Sequence, residues 1–264
     1  MDLGLKGKTA VVSGSTAGIG LAIATTLAAE FAHVVVNGRT EARVATAIEK
    51  IRKIAPHASV RGVAADLGNL EGVTKFIKQV PDADVLINNL GIFEPKTFAE
   101  IPDADWMHFF EVNVLSGVRL SRQYLPGMLK KNWGRIIFIS SESGQQIPAE
   151  MIHYGMTKTA QVAVARGIAE SVAGTGVTVN TVMPGPTESE GLGDYVAGIA
   201  KQRSITKAEV EKEFFAKVRP SSLLKRFETS EEVAAVVAFV ASAQAAAING
   251  AAVRAEGGVV RSIF

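Results

Sequence analysis

The feature that most constrains this chain is a rhythm. Short apolar runs rich in β-branched residues alternate with longer segments of helical period for most of the length. Thr9–Ser13 (TAVVS) reads as a strand. Gly18–Phe31 reads as a helix, with Ile19, Ala22, Ile23, Thr26 and Leu27 at i, i+3, i+4, i+7 and i+8. His33–Val36, Ser59–Ala64, Val85–Asn88, Gly134–Ser140, Val177–Val182 and Ala251–Ala255 supply the remaining strands. Helices are expected over Glu41–Ala55, Leu70–Val80, Asp103–Lys131, Tyr154–Ala173 and Glu231–Ala241, the last capped by Ser230. A whole helix between successive strands requires a crossover, and hence parallel strands. Strands that are apolar throughout, rather than alternating, belong in a sheet covered on both faces. The expected fold is α/β: a doubly wound, seven-stranded parallel sheet with helices on both faces, in one domain spanning 1–264.

One segment departs from this rhythm. Residues 188–223 hold no clear strand, only a glycine-rich piece (Gly191, Gly193, Gly198) and a charged helical piece, Lys207–Val218. An insertion of this length at a strand end reads as a lid over a ligand. Leu192, Tyr195, Val196 and Ile199 are its expected substrate-facing residues.

Composition excludes several functions. Lys plus Arg is 28 and Asp plus Glu is 26, so the formal charge is only +2 and there is no nucleic-acid footprint. No cysteine is present, which removes disulfides, thiolate nucleophiles and Cys-based metal sites together. The four histidines lack ligand spacing, so no metal is expected. No apolar run reaches the ~18 residues of a membrane span, and Met1–Lys8 carries no secretory h-region. A cytoplasmic protein with no membrane partner is expected.

After the first strand comes Gly14-Ser15-Thr16-Ala17-Gly18-Ile19-Gly20, then a helix. Glycines let a phosphate approach the backbone, and a helix N-terminus offers free N–H groups and partial positive charge. Downstream stand Asn88-Asn89-Leu90-Gly91 and Tyr154-x3-Lys158. These three motifs, in this order and each at a strand end or on the helix after one, resemble the short-chain dehydrogenase/reductase family. Its 3-oxoacyl-[acyl-carrier-protein] reductase-like members are the nearest functional type. The correspondence runs from Gly7 to Gly258 and implies a Rossmann-type fold.

Tyr154 and Lys158 lie four apart and share a helix face. Tyrosine ordinarily ionises near pH 10, and a neighbouring ammonium favours the phenolate. Tyr154 is therefore a candidate acid/base for hydride transfer between carbonyl and alcohol. The resemblance implies further roles. Ser141 would hydrogen-bond the substrate carbonyl, and Lys158 would also hold the nicotinamide ribose. Asn113, at a helix kink, would join Lys158 through a water. Asp66, with Leu67, would meet the adenine, although an Asp there could equally cap a helix. The backbone of Asn89 and Gly91 would lie against the nicotinamide ribose. In Pro184-Gly185-Pro186-Thr187, Thr187 would bond the carboxamide. Asn88 is expected to tie neighbouring strands.

NAD-specific members carry an acid at the end of the second strand. Here Gly38 stands in that place and Arg39 follows. A carboxylate would repel a 2′-phosphate, and Arg can grip one. NADP(H) is therefore expected in preference to NAD(H), with Ala17 where many such members place a second basic residue. The implied function is an NADP(H)-dependent oxidoreductase interconverting a small ketone or aldehyde and an alcohol. Two alternatives are a 3-oxoacyl-carrier-protein reductase and a non-catalytic NADP(H) sensor. Asn132 and Thr175 stand where carrier-protein reductases commonly have Arg, though Lys130, Lys131 and Arg122 are nearby. The Tyr154–Ala173 helix is apolar on more than one face, and the resemblance implies a homotetramer of dihedral symmetry.

Overall fold

The computed structural model describes residues 2–263, apart from the side chains of residues 190–192, 194 and 195. Seven strands among the described residues form one sheet, in the order β3-β2-β1-β4-β5-β6-β7. They are β1 Thr9–Val12, β2 His33–Gly38, β3 Ser59–Ala64, β4 Val85–Asn88, β5 Gly134–Ile139, β6 Val177–Pro184 and β7 Ala252–Ala255. Every pairing is parallel, as the crossover argument requires. The helices are α1 Gly18–Ala29, α2 Glu41–Ile54, α3 Leu70–Gln79, α4 Asp103–Phe110, α5 Ser116–Lys130, α6 Ile152–Ser171, α7 Glu190–Arg203, α8 Lys207–Glu213 and α9 Ser230–Ala241.

The apolar strands serve two cores at once. Ala10, Val12, Val34 and Val36 point to one face, against Ile23 and Leu27 of α1, Ile51 of α2 and Val237 of α9. Val11, Val35, Ile136 and Phe138 point to the other, against Phe76 of α3, Leu120 and Tyr124 of α5 and Ala165 of α6. Period-two geometry sends neighbouring residues to opposite faces, so a strand with helices on both must be apolar at every position.

The long helix Asp103–Lys131 opens at Glu111–Leu115 into a π turn that separates α4 from α5, at the kink that the resemblance implied for Asn113. Local signals differ from expectation in three places. α9 is capped by Thr229, not Ser230: Thr229 and Glu232 form a reciprocal capping box, while the Ser230 hydroxyl donates to Glu188 O at 3.1 Å. α3 is capped by Asn69, whose side chain accepts from the Gly72 amide at 2.8 Å. Asp66 instead closes a small turn by accepting from Gly68 N at 3.0 Å. Asn88 ties β4 to α5 through Ser121 at 3.1 Å, rather than to another strand.

The 188–223 insertion consists of α7, α8 and a wide turn at Phe214–Val218. Its two ends meet beside β6, where Glu188 N donates to Glu228 O at 2.7 Å and Glu228 N to Pro186 O at 2.9 Å. Val196, Ala200 and Val210 form its own small core, with Ile199, Ile205 and Phe227 against it. Val196 and Ile199 are therefore committed to this core, not turned to a substrate. Leu192 and Tyr195 lie outside the described side chains. No described helix is long and apolar enough to cross a membrane.

Candidate active site

The sheet order reverses between β1 and β4, whose helices leave to opposite faces. Such a reversal opens a crevice at the strand C-termini, where open α/β sheets place ligands. Gly14–Gly20 follows β1 and Asn89–Gly91 follows β4, so both motifs face this crevice. They are strapped together: the Asn89 amide donates to Ser13 O at 3.0 Å and Gly14 O at 3.1 Å.

The turn before α1 is built for close approach. Gly14 and Gly18 take positive φ. A Cβ on Gly20 would lie 2.4 Å from Asn89 Nδ2 and 2.5 Å from Gly14 O, so only glycine fits there. No side chain caps α1 at Ala17, and its first turn holds no acid, which leaves the helix terminus open to a phosphate. Ser15 is turned inward, its hydroxyl donating to Val12 O at 2.7 Å. At the end of β2, a Cβ on Gly38 would meet Thr16 Cγ2 at 2.4 Å, so Thr16 would have to turn aside for any larger residue there. Arg39 is exposed beside it. Arg43, one turn into α2, donates from Nε to Thr16 Oγ1 at 3.4 Å. α2 thus brings a second guanidinium to the end of β2. Asp66 is exposed after β3, whereas the Leu67 side chain is in the core and leaves only its backbone for an adenine.

Ser141, Tyr154 and Lys158 come together across the β5–α6 connection, in a cleft of about 750 Å³. The Ser140 hydroxyl donates to Lys158 O at 2.8 Å and Thr159 to Gly144 O at 2.7 Å, pinning this connection onto α6. Lys158 is buried, its Nζ donating to Ile139 O at 2.9 Å and lying 5.5 Å from the centre of the Tyr154 ring. Burial pulls its pKa down to about 8, against the opposing pull of Glu142. The expected depression of Tyr154 by Lys158 is not found. Burial first, and then the Glu142 charge, push the Tyr154 hydroxyl well above its usual value; Ser141 and Arg219 oppose them.

Asn113 sits in the π turn, fully buried. Its side chain accepts from Ile92 N at 2.8 Å and donates to Ile92 O at 3.0 Å and Thr157 Oγ1 at 2.9 Å. The carbonyl that the π turn frees is taken by Gln161 Nε2 at 2.6 Å. Asn113 and Lys158 flank Gly91, where a Cβ would lie 3.5 Å from Asn113 Oδ1 and 3.4 Å from Lys158 Nζ. At the far wall, Thr187 donates to Gly185 O at 2.9 Å. Glu228 accepts from Gly185 N at 3.2 Å, and its pKa is pushed up to about 7, chiefly by burial.

Sequence reasoning missed Glu142, Arg219, Gln161 and Glu228. Glu142 follows Ser141 directly and is buried. Its Oε1 accepts from Arg219 Nε at 2.9 Å, an ion pair joining the loop after β5 to the insertion. A carboxylate beside two serines at a strand end was a visible signal; its partner, 77 residues on, was not. Asn132 and Thr175 precede β5 and β6, at the N-terminal end of the strands and opposite the cleft, and Asn132 Oδ1 accepts from Gly176 N at 2.8 Å. They are not beside the mouth.

The family model of the short chain dehydrogenases matches residues 8–199. The chain is 47% identical over 264 residues to the uncharacterized oxidoreductase YvaG of Bacillus subtilis, covering 100% of both. It is 32% identical to the 3-oxoacyl-[acyl-carrier-protein] reductase FabG of Vibrio cholerae, over 97% of this chain and 99% of that one. Among solved structures it resembles L-sorbose reductase from Gluconobacter frateurii complexed with NADPH and L-sorbose, with a TM-score of 0.94, 30% identity and 100% coverage of each chain. The chain belongs to the short-chain dehydrogenase/reductase family of oxidoreductases.

Proposed function

We propose that this chain is an NADP(H)-dependent reductase of small carbonyl compounds, with Tyr154 as acid/base. One observation carries the reading: Ser141, Tyr154 and Lys158 line one cleft at the strand C-termini, beside Asn89 and Gly91 of the switch-point crevice. The open helix end, the glycine turn, Gly38 in the place of an acid and the arginines at Arg39 and Arg43 fit a 2′-phosphorylated dinucleotide. When bound, that cofactor supplies or accepts a hydride at the substrate carbon. Tyr154 gives its hydroxyl proton to the carbonyl oxygen during reduction and recovers it through Lys158 from solvent. Ser141 would hold the carbonyl oxygen by turning its hydroxyl from Glu142 to donate to it, and Asn113 fixes the Gly91–Ile92 backbone beside which the cofactor's ring end would lie. The net change is carbonyl plus NADPH plus a proton, giving alcohol plus NADP⁺.

A free ketone is the proposed substrate class, and a carrier-linked 3-oxoacyl chain is the alternative that the test separates; Glu142 and Arg219 pair with each other in a cleft wall that also holds Ile92, Phe93, Met151 and Phe214. The Gluconobacter neighbour's bound L-sorbose belongs to this class. A sensor of NADP(H) would have no use for the proton-transfer set. The test is NADPH oxidation with L-sorbose, other ketoses and a 3-oxoacyl thioester, by the wild-type chain and Tyr154→Phe. Turnover on ketoses that falls about 10²–10⁴-fold in the variant, with NADPH binding retained, is expected. Equal turnover by both proteins, or the absence of NADPH binding, refutes the assignment.

A further inference from the structure

The face of α6 that carries Tyr154 and Lys158 continues through Thr157 and Gln161, which lie at i+3 and i+7 from Tyr154. Both of these residues grip the π turn at Asn113. Thr157 Oγ1 accepts from Asn113 Nδ2 at 2.9 Å and donates its own hydrogen to Tyr154 O at 2.7 Å. Gln161 Nε2 donates to Asn113 O at 2.6 Å. The side chain and the carbonyl of one residue are thus held separately, from successive turns of α6. Gln161 is 1% exposed, and the other end of its amide, Oε1, is buried with no hydrogen-bond partner. Leaving a buried polar atom unpaired is unfavourable, and an apolar side chain would avoid it. What this position uses is therefore the N–H.

In a regular helix the Asn113 carbonyl would accept from the N–H four residues on, that of Gly117. The π turn withholds that donor, and Gln161 supplies one from a different helix. Without it the turn would hold a buried, unpaired carbonyl, and a return to regular helical pairing would be the way to satisfy it. That return would draw Asn113 off its partners in the cleft. Its side chain accepts from Ile92 N at 2.8 Å and donates to Ile92 O at 3.0 Å, and with Lys158 it flanks Gly91. Gly91 and Ile92 both line the cleft. The glycine turn before α1 is strapped by a different residue, Asn89, through Ser13 O and Gly14 O.

We propose that Gln161 is a positioning residue for the nicotinamide end of the cleft: its amide N–H holds the π turn open, so that Asn113 keeps the Gly91–Ile92 backbone in place. This role rests on the reading of the cleft as a dinucleotide site. It acts through Asn113 on one end of the dinucleotide only. The phosphates and adenine, at the glycine turn and the arginines of Arg39 and Arg43, are served by residues that Gln161 does not hold.

The test is calorimetric titration of the full-length chain with two ligands. One is NADPH. The other is 2′-phospho-ADP-ribose, which keeps the adenine, the pyrophosphate and the 2′-phosphate but lacks the nicotinamide ring. Gln161→Met keeps the length of the side chain and removes the N–H. A turn that is open only about a tenth of the time in the free variant should weaken NADPH binding about tenfold, while the ringless ligand stays within about twofold of wild type. Gln161→Leu should show the same pattern. NADPH binding that is unchanged in the folded variants overturns the proposal. Equal weakening of both ligands also overturns it, since a general loosening of the fold would act on both. If neither variant folds, Gln161 belongs to the core and not to the site, and the proposal falls. The titration needs no substrate and no turnover. A wild-type chain that binds neither ligand refutes the proposed function. A wild-type chain that binds NADPH no better than its Gln161 variants refutes this role alone.

Discussion

Glu228 should make the stability of this chain depend on pH between the ordinary carboxylate range and neutrality. It lies at the base of the insertion, 5% exposed, with Glu256 and Glu142 adding negative charge around it. Its pKa is about 7 in the folded chain against an ordinary value of 4.5. Below 4.5 both the folded and unfolded chains hold the proton, and the group is at its most favourable. Between 4.5 and 7 the folded chain holds a proton that the unfolded chain has released, so stability falls as pH rises. A gap of about 2.5 pH units, at 1.36 kcal/mol per unit, amounts to ~3 kcal/mol lost by pH 8. Glu228→Gln keeps an oxygen for the Gly185 amide and cannot ionise. Urea unfolding of both proteins at pH steps from 4 to 8 gives the difference curve, which cancels every other titrating group. The variant should gain relative stability across this window and level off above it. Curves that stay parallel within about 0.5 kcal/mol would refute the assigned burial and its sign.

Two further predictions rest on geometry. Thr229→Ala should cost about 1 kcal/mol, since it breaks the α9 capping box, whereas Ser230→Ala should cost less; thermal unfolding of the pair checks which residue is the cap. Arg39→Ala and Arg43→Ala should each weaken NADPH binding more than NADH binding, read by fluorescence titration. Equal loss for both nucleotides would remove the arginines from 2′-phosphate recognition.

Much of the fold was legible because its cause is periodic. Strands buried on both faces, such as Val34–Val36, cannot be mistaken for half-exposed ones. Crossovers of helical length leave little choice of topology. That Ser141, Tyr154 and Lys158 share a cleft was legible because α6 sets Tyr154 and Lys158 one turn apart and Ser141 ends a strand. Features that depend on distant chain segments were not. Arg219 finds Glu142 only once the insertion folds over the cleft, and Gln161 finds the Asn113 carbonyl only because the preceding helix opens. The cap at Thr229 was misplaced by one residue, since Thr229 and Ser230 carry the same chemistry and only the reciprocal bond from Glu232 decides between them. Val196 and Ile199 were misjudged because an apolar residue on an insertion reads alike whether it faces a ligand or its own small core.

The π turn at Glu111–Leu115 also has a bearing on how the chain tolerates changes in length. Its hydrogen bonds run i→i+5 where the flanking helices run i→i+4. The segment therefore carries one residue more than a regular helix needs to join α4 to α5. Excising a single residue there would let the backbone close into an unbroken helix while Phe109 and Leu120 kept their bearings toward the sheet. The same excision elsewhere in α5 would turn every later side chain by about 100° and empty the core beneath it. The sheet has no stake in that surplus residue. Its effect falls on the cleft, where the widened turn frees the Asn113 carbonyl and carries the amide that braces Gly91–Ile92.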